Sequence, residues 1–225
     1  VPLPGEVSLA HNGVLFLDEL PEYIKTVAEV LRQPLEDRHI TITRASGRYT
    51  FPCNFMLVCA MNPCRCGYFG HPSKNCTCKP ADIRAYLSKV SGPLLDRIDI
   101  QIEVSPLSFD ELSKLAPSRS SADMRTDVNK ARAFALKRFL RDGKKLRCNA
   151  ELSPADLRKY CTLDDEATAI MRAAFENMGL SARGYDRILR VARTIADLEE
   201  SENIKAHHIA EAVQLRSLDR KYWQR

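Results

Sequence analysis

The first candidates for chemistry are two adjacent carboxylates, Asp18 and Glu19, which directly follow the apolar run Val14–Leu17. Four consecutive apolar residues predict a strand that is buried on both faces of a parallel sheet. Ligands of open α/β sheets bind beyond the carboxyl ends of the strands. A carboxylate pair at such an edge can hold a hydrated Mg²⁺ and orient an attacking water. The alternative is an ordinary acidic turn between a buried strand and a helix.

Two further polar residues accompany apolar sequence in the same half of the chain. Asn62 comes after the apolar run 55–60, and its amide can donate to a phosphate oxygen and orient a water. Arg97 lies in a short loop, 91–99, between apolar residues. A guanidinium held in this way can neutralise charge on a transferring phosphoryl group. Together these residue types indicate phosphoryl transfer.

Four cysteines, Cys64, Cys66, Cys76 and Cys78, form two C-x-C pairs that are separated by nine residues. Four thiolates can complete a tetrahedral structural zinc site, and the glycines and proline between the pairs allow the chain to turn back. Reduced thiols and a disulfide are the alternatives, and His71 is a candidate substitute ligand. The other cysteines lie in strand or helix patterns typical of small buried apolar residues: Cys53, Cys59, Cys148 and Cys161.

The elements that must position these groups differ between the two halves of the chain. Residues 1–116 alternate short apolar runs with helical segments, whereas residues 117–225 follow helical periodicity throughout. We therefore predict an α/β unit with a parallel sheet, followed by an all-α unit. The interval 116–121 is rich in proline and serine, which predicts a linker. Trp223, near the end of the chain, is expected to be a packing anchor.

Between the two apolar strands, the sequence predicts a helix over 21–33 and then a β-hairpin over 39–51. The apolar face of the helix is marked by Val27, Val30 and Leu31. Arg44 and Arg48 flank the tip of the hairpin. Cations at this position suit contact with a nucleic-acid backbone, because tracking a backbone needs positive charge and no base reading.

Two groups of polar residues stand out in the helical half. Arg183, Arg187 and Arg190 share one face of a predicted helix. We interpret Arg187 and Arg190 as a solvated basic stripe. His207 and His208 are adjacent near the start of the last helix. Adjacent helical positions point about 100° apart, so these two side chains are not expected to share a ligand.

Composition and charge narrow the class of protein. With 225 residues, 44% of them hydrophobic, the chain is neither disordered nor fibrous. Residues 1–116 carry a net charge of −1 and residues 117–225 carry +6, which suits either a polyanionic partner or a solvated surface. No apolar run reaches the roughly 18–20 residues of a membrane span and no signal segment opens the chain, so a cytoplasmic address is expected.

In combination, four runs of the sequence closely resemble the magnesium-chelatase-like AAA+ ATPases, and within them the competence-protein (ComM) group. These runs are residues 4–13, 18–19, 62–64 and 91–99. The likeness covers nearly the whole chain. It implies part of a P-loop NTPase core followed by a helical lid, in a homo-oligomeric ring such as a hexamer that hydrolyses ATP with Mg²⁺.

The resemblance also implies roles for single residues. Asp18 and Glu19 would form the Walker B motif, with Asp18 holding Mg²⁺ through water, and Asn62 would be sensor 1. Arg97 would be the finger that reaches the site of the neighbouring subunit, so we expect it to be exposed and away from the carboxylates of its own chain. Arg183 would be sensor 2, and the hairpin would line the pore of the ring.

The phosphate-binding motif G-x-x-x-x-G-K-[ST] is absent from these 225 residues, and the family places it upstream of Walker B. We therefore expect a fragment that binds ATP weakly or not at all and does not hydrolyse it alone. For the parent protein, one function is helicase-like DNA remodelling or translocation, which Arg44, Arg48 and the basic half support. The other is a chelatase-type motor that drives metal insertion into a tetrapyrrole. For the isolated chain, a non-catalytic structural module is a third alternative.

Overall fold

The chain forms two compact units in a computed structural model that describes residues 2–107, 109, 113 and 119–216. The first unit ends at Ile98 and the second begins at Asp99. Half of the linker expected at 116–121 lies outside the described residues, as does Trp223, so both stay predictions. Among the described helices, none is long and apolar enough to cross a membrane.

The first unit mixes strands and helices, which confirms the predicted α/β class. Its strands are β1 (Val14–Leu17), β2 (His39–Arg44), β3 (Gly47–Pro52) and β4 (Met56–Cys59). Its helices are α1 (Glu6–Leu9), α2 (Lys25–Val30), α3 (Arg32–Asp37), α4 (Pro80–Leu87) and α5 (Gly92–Leu95), and a 3-10 turn covers Leu20–Glu22. Strands β1 and β4 are parallel, with Val14 opposite Met56 and Leu17 opposite Cys59.

The sheet of β1 and β4 is covered on one face only. Leu15 and Leu17 pack against a core that includes Leu20, Leu31 and Leu94. The alternate residues are exposed, namely Val14 (59%), Phe16 (57%), Met56 (63%) and Val58 (39%). The expectation of burial on both faces is therefore wrong for the described residues. The reason is that their helices pack on one side of this two-stranded sheet, so a fully apolar strand acquires an alternating pattern of burial.

The helix predicted over 21–33 is broken into the 3-10 turn, α2 and α3. Leu31 is buried, but Val27 and Val30 are exposed, so the predicted apolar face is wrong at two of its three positions. The break has a local cause in Pro34. A proline lacks a backbone N–H and is tolerated only in the first turn of a helix. Starting α3 at Arg32 puts Pro34 in that turn.

The predicted hairpin is present as the antiparallel pair of β2 and β3. Arg44 lies opposite Gly47, so the two strands are joined by a two-residue turn. Gly47 has φ +138°, a conformation that favours glycine. Arg44 and Arg48 are both exposed beside this turn, as expected for side chains that flank the tip.

The second unit is helical, as predicted. Its helices are α6 (Ser121–Arg141), α7 (Pro154–Tyr160), α8 (Asp165–Met178), α9 (Ala182–Leu198) and α10 (Ala206–Gln214), and a 3-10 turn covers Asn149–Glu151. Side-chain oxygens of Ser120, Ser153, Asp164 and Ser181 accept backbone N–H groups in the first turns of α6 to α9. These caps satisfy donors that a helix start leaves unpaired, which explains why the helices begin at these points.

A network of buried charges holds α6, the 3-10 turn Asn149–Glu151 and α9 together. Asp197 is 1% exposed and accepts two hydrogen bonds from Arg138, at 2.7 and 2.9 Å. The Asn149 amide donates to the same carboxylate at 2.8 Å, and Arg193 Nε donates to it at 3.1 Å. Two guanidinium groups thus share one buried carboxylate. The network fixes how these elements pack, because removal of the carboxylate would leave buried positive charge uncompensated.

Acid should destabilise the second unit through Asp156. Its carboxylate accepts the Ser153 hydroxyl at 2.6 Å and lies 2.7 Å from Lys144 Nζ. These partners lower the pKa of Asp156 to about 2, with Lys144 the larger cause. The unfolded pKa is about 3.9, so this stabilisation is complete above pH 4 and is lost as the pH falls through about 2.

We expect Asp156→Asn to flatten the loss of stability between pH 4 and pH 2 that thermal unfolding measures in the unchanged chain. Asp165→Asn, at an exposed position in the first turn of α8, is the matched control and should keep the full pH dependence. An Asp156→Asn protein with the same acid profile as the unchanged chain would contradict this assignment.

Candidate functional site

The pairing of β1 and β4 brings the predicted polar residues to one edge. Ala60 N–H donates to Leu17 O, and Leu20 N–H donates to Ala60 O, both at 3.0 Å. The segments that follow β1 and β4 therefore continue side by side beyond the last paired residues of the two strands. Asp18 and Glu19 emerge there after β1, and Asn62 emerges after β4, all of them exposed. This is the carboxyl edge, where open α/β sheets bind ligands.

Glu19 has an unusual backbone conformation at this edge. Its φ of 49° and ψ of 47° lie in the left-handed region, which non-glycine residues rarely adopt. Its backbone N–H donates to Asp18 Oδ1 at 2.9 Å. Holding a residue in this region costs about 1–3 kcal/mol of conformational free energy, which the surrounding structure must offset. Such residues cluster at functional sites.

A shallow cavity of about 240 Å³ opens at the same edge and is lined by Asp18, Glu19, Glu22 and Tyr23. Glu22 also lies 3.6 Å from Lys89 Nζ. Glu22 and Tyr23 were not singled out in the sequence. The available signal was the spacing of Glu22, three residues after Glu19, where one turn of helix brings two carboxylates to the same side. Such a group of carboxylates suits a hydrated divalent cation.

Arg97 does not lie where the sequence led us to expect it. The residue is 8% exposed, its guanidinium lies 2.8 Å from Glu36 Oε1, and Nη1 donates to Pro93 O at 2.6 Å. The expectation of an exposed arginine is therefore wrong in this structure. The cause is a carboxylate on α3 that local sequence could not reveal. The proposed role as a finger stays a prediction, and it requires Arg97 to leave Glu36.

The arginines of α9 are not a solvated stripe. Arg187 forms an ion pair with Asp99, and Arg190 donates to Leu152 O at 2.8 Å. Both side chains are partly buried, so the solvated interpretation is wrong for these two residues. Arg183 is exposed in the first turn of the same helix. It belongs to the second unit, and its role as sensor 2 stays a prediction.

The four cysteines of the C-x-C pairs converge on one point. The sulfur of Cys64 lies 3.4 Å from that of Cys66 and 3.7 Å from that of Cys76, and all four sulfurs, including that of Cys78, lie within 4.8 Å of one another. All eight cysteines of the chain are unbridged, which removes the disulfide alternative from this structure. Sulfurs bound at 2.3 Å to one tetrahedral ion would lie about 3.8 Å apart. This cluster can therefore hold a metal ion.

Backbone groups around the cysteine cluster favour thiolates. N–H groups of Tyr68 and Thr77 donate to the sulfur of Cys66 and lower its pKa to about 5. Hydrogen bonds of this kind orient and stabilise metal-binding thiolates. Without a metal ion, burial and the neighbouring sulfurs of Cys64 and Cys66 raise the pKa values of Cys76 and Cys78. His71 is not a member of the cluster, and its Nδ1 instead accepts the N–H groups of Ser73 and Lys74, both at 3.1 Å.

His207 and His208 do share a partner, contrary to the sequence-based expectation. Both Nε2 atoms contact Glu199 Oε2, at 3.1 and 2.9 Å. Divergent Cα–Cβ directions are overcome because an imidazole reaches far enough to turn back toward one carboxylate. His208 Nδ1 accepts the N–H of Lys205, so its Nε2 carries a proton and donates to Glu199. His208 therefore caps the start of α10, and the hydrogen bonds with both histidines lower the pKa of Glu199.

The two parts of the chain match two related family models. Residues 1–112 match the model described as "Magnesium chelatase, subunit ChlI", and residues 118–216 match "Magnesium chelatase, subunit ChlI C-terminal". The chain is 41% identical over 221 residues to "Uncharacterized protein YifB" of Escherichia coli K12. It is 42% identical over 221 residues to "Competence protein ComM" of Haemophilus influenzae. Each match covers 98% of this chain but 42% of the relative, so the chain spans less than half the length of these proteins.

Proposed function

Since the chain belongs to the magnesium chelatase ChlI family, we propose that it is part of a ring-forming AAA+ ATPase that couples ATP hydrolysis to the remodelling or translocation of DNA. The observation that supports this proposal is that Asp18, Glu19 and Asn62 follow two paired parallel strands and are exposed at the same carboxyl edge. Phosphoryl transfer needs positioned charge and an oriented water rather than covalent chemistry, and these side chains can supply both.

Each residue at the edge has a distinct task in this proposal. Asp18 would hold Mg²⁺ through water, Glu19 would accept a proton from the attacking water, and Asn62 would donate to a phosphate oxygen. The fit rests on the donor set, because carboxylate oxygens around a hydrated, exposed cavity are the ligands that Mg²⁺ prefers. When bound, Mg²⁺ would neutralise charge on the phosphate groups of ATP.

Two arginines would complete the site in a homo-oligomeric ring, which we take to be a hexamer. Arg97 would leave Glu36 and reach the nucleotide of the neighbouring subunit, where a guanidinium stabilises charge in the transition state. Arg183 would contact the nucleotide from the helical unit of the same subunit. Both assignments rest on the family resemblance and not on contacts within this chain.

The direct test is phosphate release by the full-length protein with ATP, measured with and without Mg²⁺ and with and without DNA. We expect hydrolysis that requires Mg²⁺ and is stimulated by DNA. A protein that assembles and binds ATP but releases no phosphate under any of these conditions would contradict the proposal.

The hairpin supports DNA as the substrate, because Arg44 and Arg48 are exposed beside its tip. The double variant Arg44→Ala/Arg48→Ala should weaken binding of single-stranded DNA for all sequences alike. The slope of log K for DNA binding against log salt concentration should also become less steep, by about 0.7 for each phosphate that the variant no longer neutralises. Fluorescence anisotropy at several salt concentrations measures both effects.

The control for this double variant is Arg84→Ala, which removes an exposed arginine of α4 away from the hairpin. Its affinity for DNA and its salt dependence should match those of the unchanged protein. If the hairpin variant and the control behave alike, the hairpin does not contact DNA.

The name of the matched family supports a second function, a chelatase-type motor that drives metal insertion into a tetrapyrrole through partner proteins. The two functions differ in their response to DNA. Stimulation of hydrolysis by DNA favours the first, whereas hydrolysis that ignores DNA and responds to a chelatase partner favours the second.

We also propose that the cysteine cluster holds a structural Zn²⁺ and that the protein works in the cytoplasm. Four thiolates in a closed tetrahedron are the usual ligands of structural zinc, and the sulfur separations are close to those of such a site. A reducing compartment fits the eight unbridged cysteines, since disulfides are rare in the cytosol.

A further inference from the structure

We infer that the metal centre of Cys64, Cys66, Cys76 and Cys78 positions Asn62 and the acidic edge, by which we mean Asp18, Glu19 and Glu22. Nucleotide hydrolysis then depends on a metal that touches no nucleotide. This inference rests on the proposed zinc and ATPase functions and adds a physical connection between them. The cysteines are positioning residues in this scheme. Their effect on hydrolysis would pass through the loop and the helix that they anchor.

The first connection is along the chain. Asn62 is separated from Cys64 by Pro63 alone, and a proline fixes its own backbone angle. Cys64 is fully buried. Met61, on the other side of Asn62, packs against both the core under the sheet and the group around Cys64. Asn62 is therefore held between Met61, which packs against both groups, and Cys64, a ligand of the proposed metal centre.

The second connection passes through α4. Cys64 packs in one buried group with Ile83, Tyr86 and Leu87 of this helix. Lys89, just after the helix, forms the ion pair with Glu22. The cysteine cluster thus supports the edge from a second side.

The third observation is that the loop that contains the four cysteines has no regular secondary structure. Residues 60–79, all of which the structure describes, contain no helix and no strand. Ordered connections of this length without secondary structure are uncommon, and they need some other source of order. A metal that ties both ends of the loop offsets the entropy of closing it. Without the metal, we expect 60–79 to lose order and Asn62 to lose its fixed position.

The test compares three variants of the full-length protein. Cys76→Ser removes a ligand, Cys76→His replaces it with another zinc ligand, and Cys148→Ser is the control, since Cys148 lies outside the cluster. Three quantities are measured: zinc per chain by mass spectrometry, hydrogen exchange of the amides of 61–66, and kcat and KM for ATP. Removal of zinc from the unchanged protein with a chelator, followed by its return, checks that no variant has simply misfolded.

The unchanged protein, Cys76→His and Cys148→Ser should each hold about one zinc ion, and Cys76→Ser should hold almost none. Loss of zinc should speed exchange at 61–66 by about tenfold or more and lower kcat by roughly 10- to 100-fold, with a much smaller change in KM. The change should fall on kcat because Asn62 would act on the reacting phosphate, whereas most of the binding energy for ATP would come from elsewhere.

Each alternative result has a separate meaning. A purified protein without zinc, or a zinc-free protein with unchanged exchange at 61–66 and unchanged kcat, would overturn the inference. If no form of the full-length protein hydrolyses ATP, the proposed ATPase function fails. Faster exchange at 61–66 on zinc removal would in that case still support the structural connection from the metal to Asn62.

Discussion

Replacing Glu19 with Gln in the full-length protein should lower kcat for ATP hydrolysis by about 10²- to 10⁴-fold and leave ATP affinity nearly unchanged. Glutamine keeps the size of the side chain and its hydrogen-bonding reach but cannot accept a proton from water. Glu19 is exposed at the carboxyl edge of the sheet, where it lines the same cavity as Asp18. The expected loss therefore falls on the chemical step and not on binding.

The matched control is Glu166→Gln, which neutralises an exposed glutamate of α8 in the helical unit. This variant should hydrolyse ATP at the rate of the unchanged protein. Phosphate release gives kcat, and calorimetry gives the affinity for ATP. If Glu19→Gln retained more than about a tenth of the original kcat, Glu19 would not be the general base.

The largest loss of stability should follow from Asp197→Ala. Among the described residues, Asp197 is the carboxylate that pairs with both Arg138 and Arg193 in their buried network. Its removal leaves two buried guanidinium groups without a counter-charge, which costs about 3–5 kcal/mol of the free energy of unfolding. The Asn149 amide would also lose an acceptor. We therefore expect the helical unit to unfold at much lower denaturant concentration.

Hydrogen exchange of the buried amides of α9 reports the stability of this unit by itself. Asp186→Ala is the control, since it removes a partly exposed carboxylate from the same helix. The control should change the free energy of unfolding by less than about 1 kcal/mol. Equal effects of the two substitutions would show that the network contributes no more than an ordinary surface charge. A replacement of all three charged residues by apolar ones could restore stability, because a buried ion pair is often matched by good apolar packing.

The sequence alone was sufficient for most of the strands and helices and for the edge at which Asp18, Glu19 and Asn62 lie, although the helix predicted over 21–33 is broken. Apolar runs, the hairpin pattern and the helical periodicity of the second half depend on neighbours within a few residues, so local physics decides them. The placement of Asp18 and Asn62 at one edge also follows from a simple rule, because parallel strands end at the same edge of a sheet. The spacing of Cys64, Cys66, Cys76 and Cys78 predicted a common point for the same kind of reason.

Tertiary structure decided which distant residues meet. Glu36 and Arg97 lie on separate elements, and no local pattern shows that α3 presents a carboxylate to the loop after α5. The pairs of Arg187 with Asp99 and of His208 with Glu199 arise in the same way. The sheet likewise left Phe16 exposed, although its strand is apolar throughout, because burial depends on what covers each face. Periodicity constrains which side of an element is apolar, but a partner is chosen only when the elements pack.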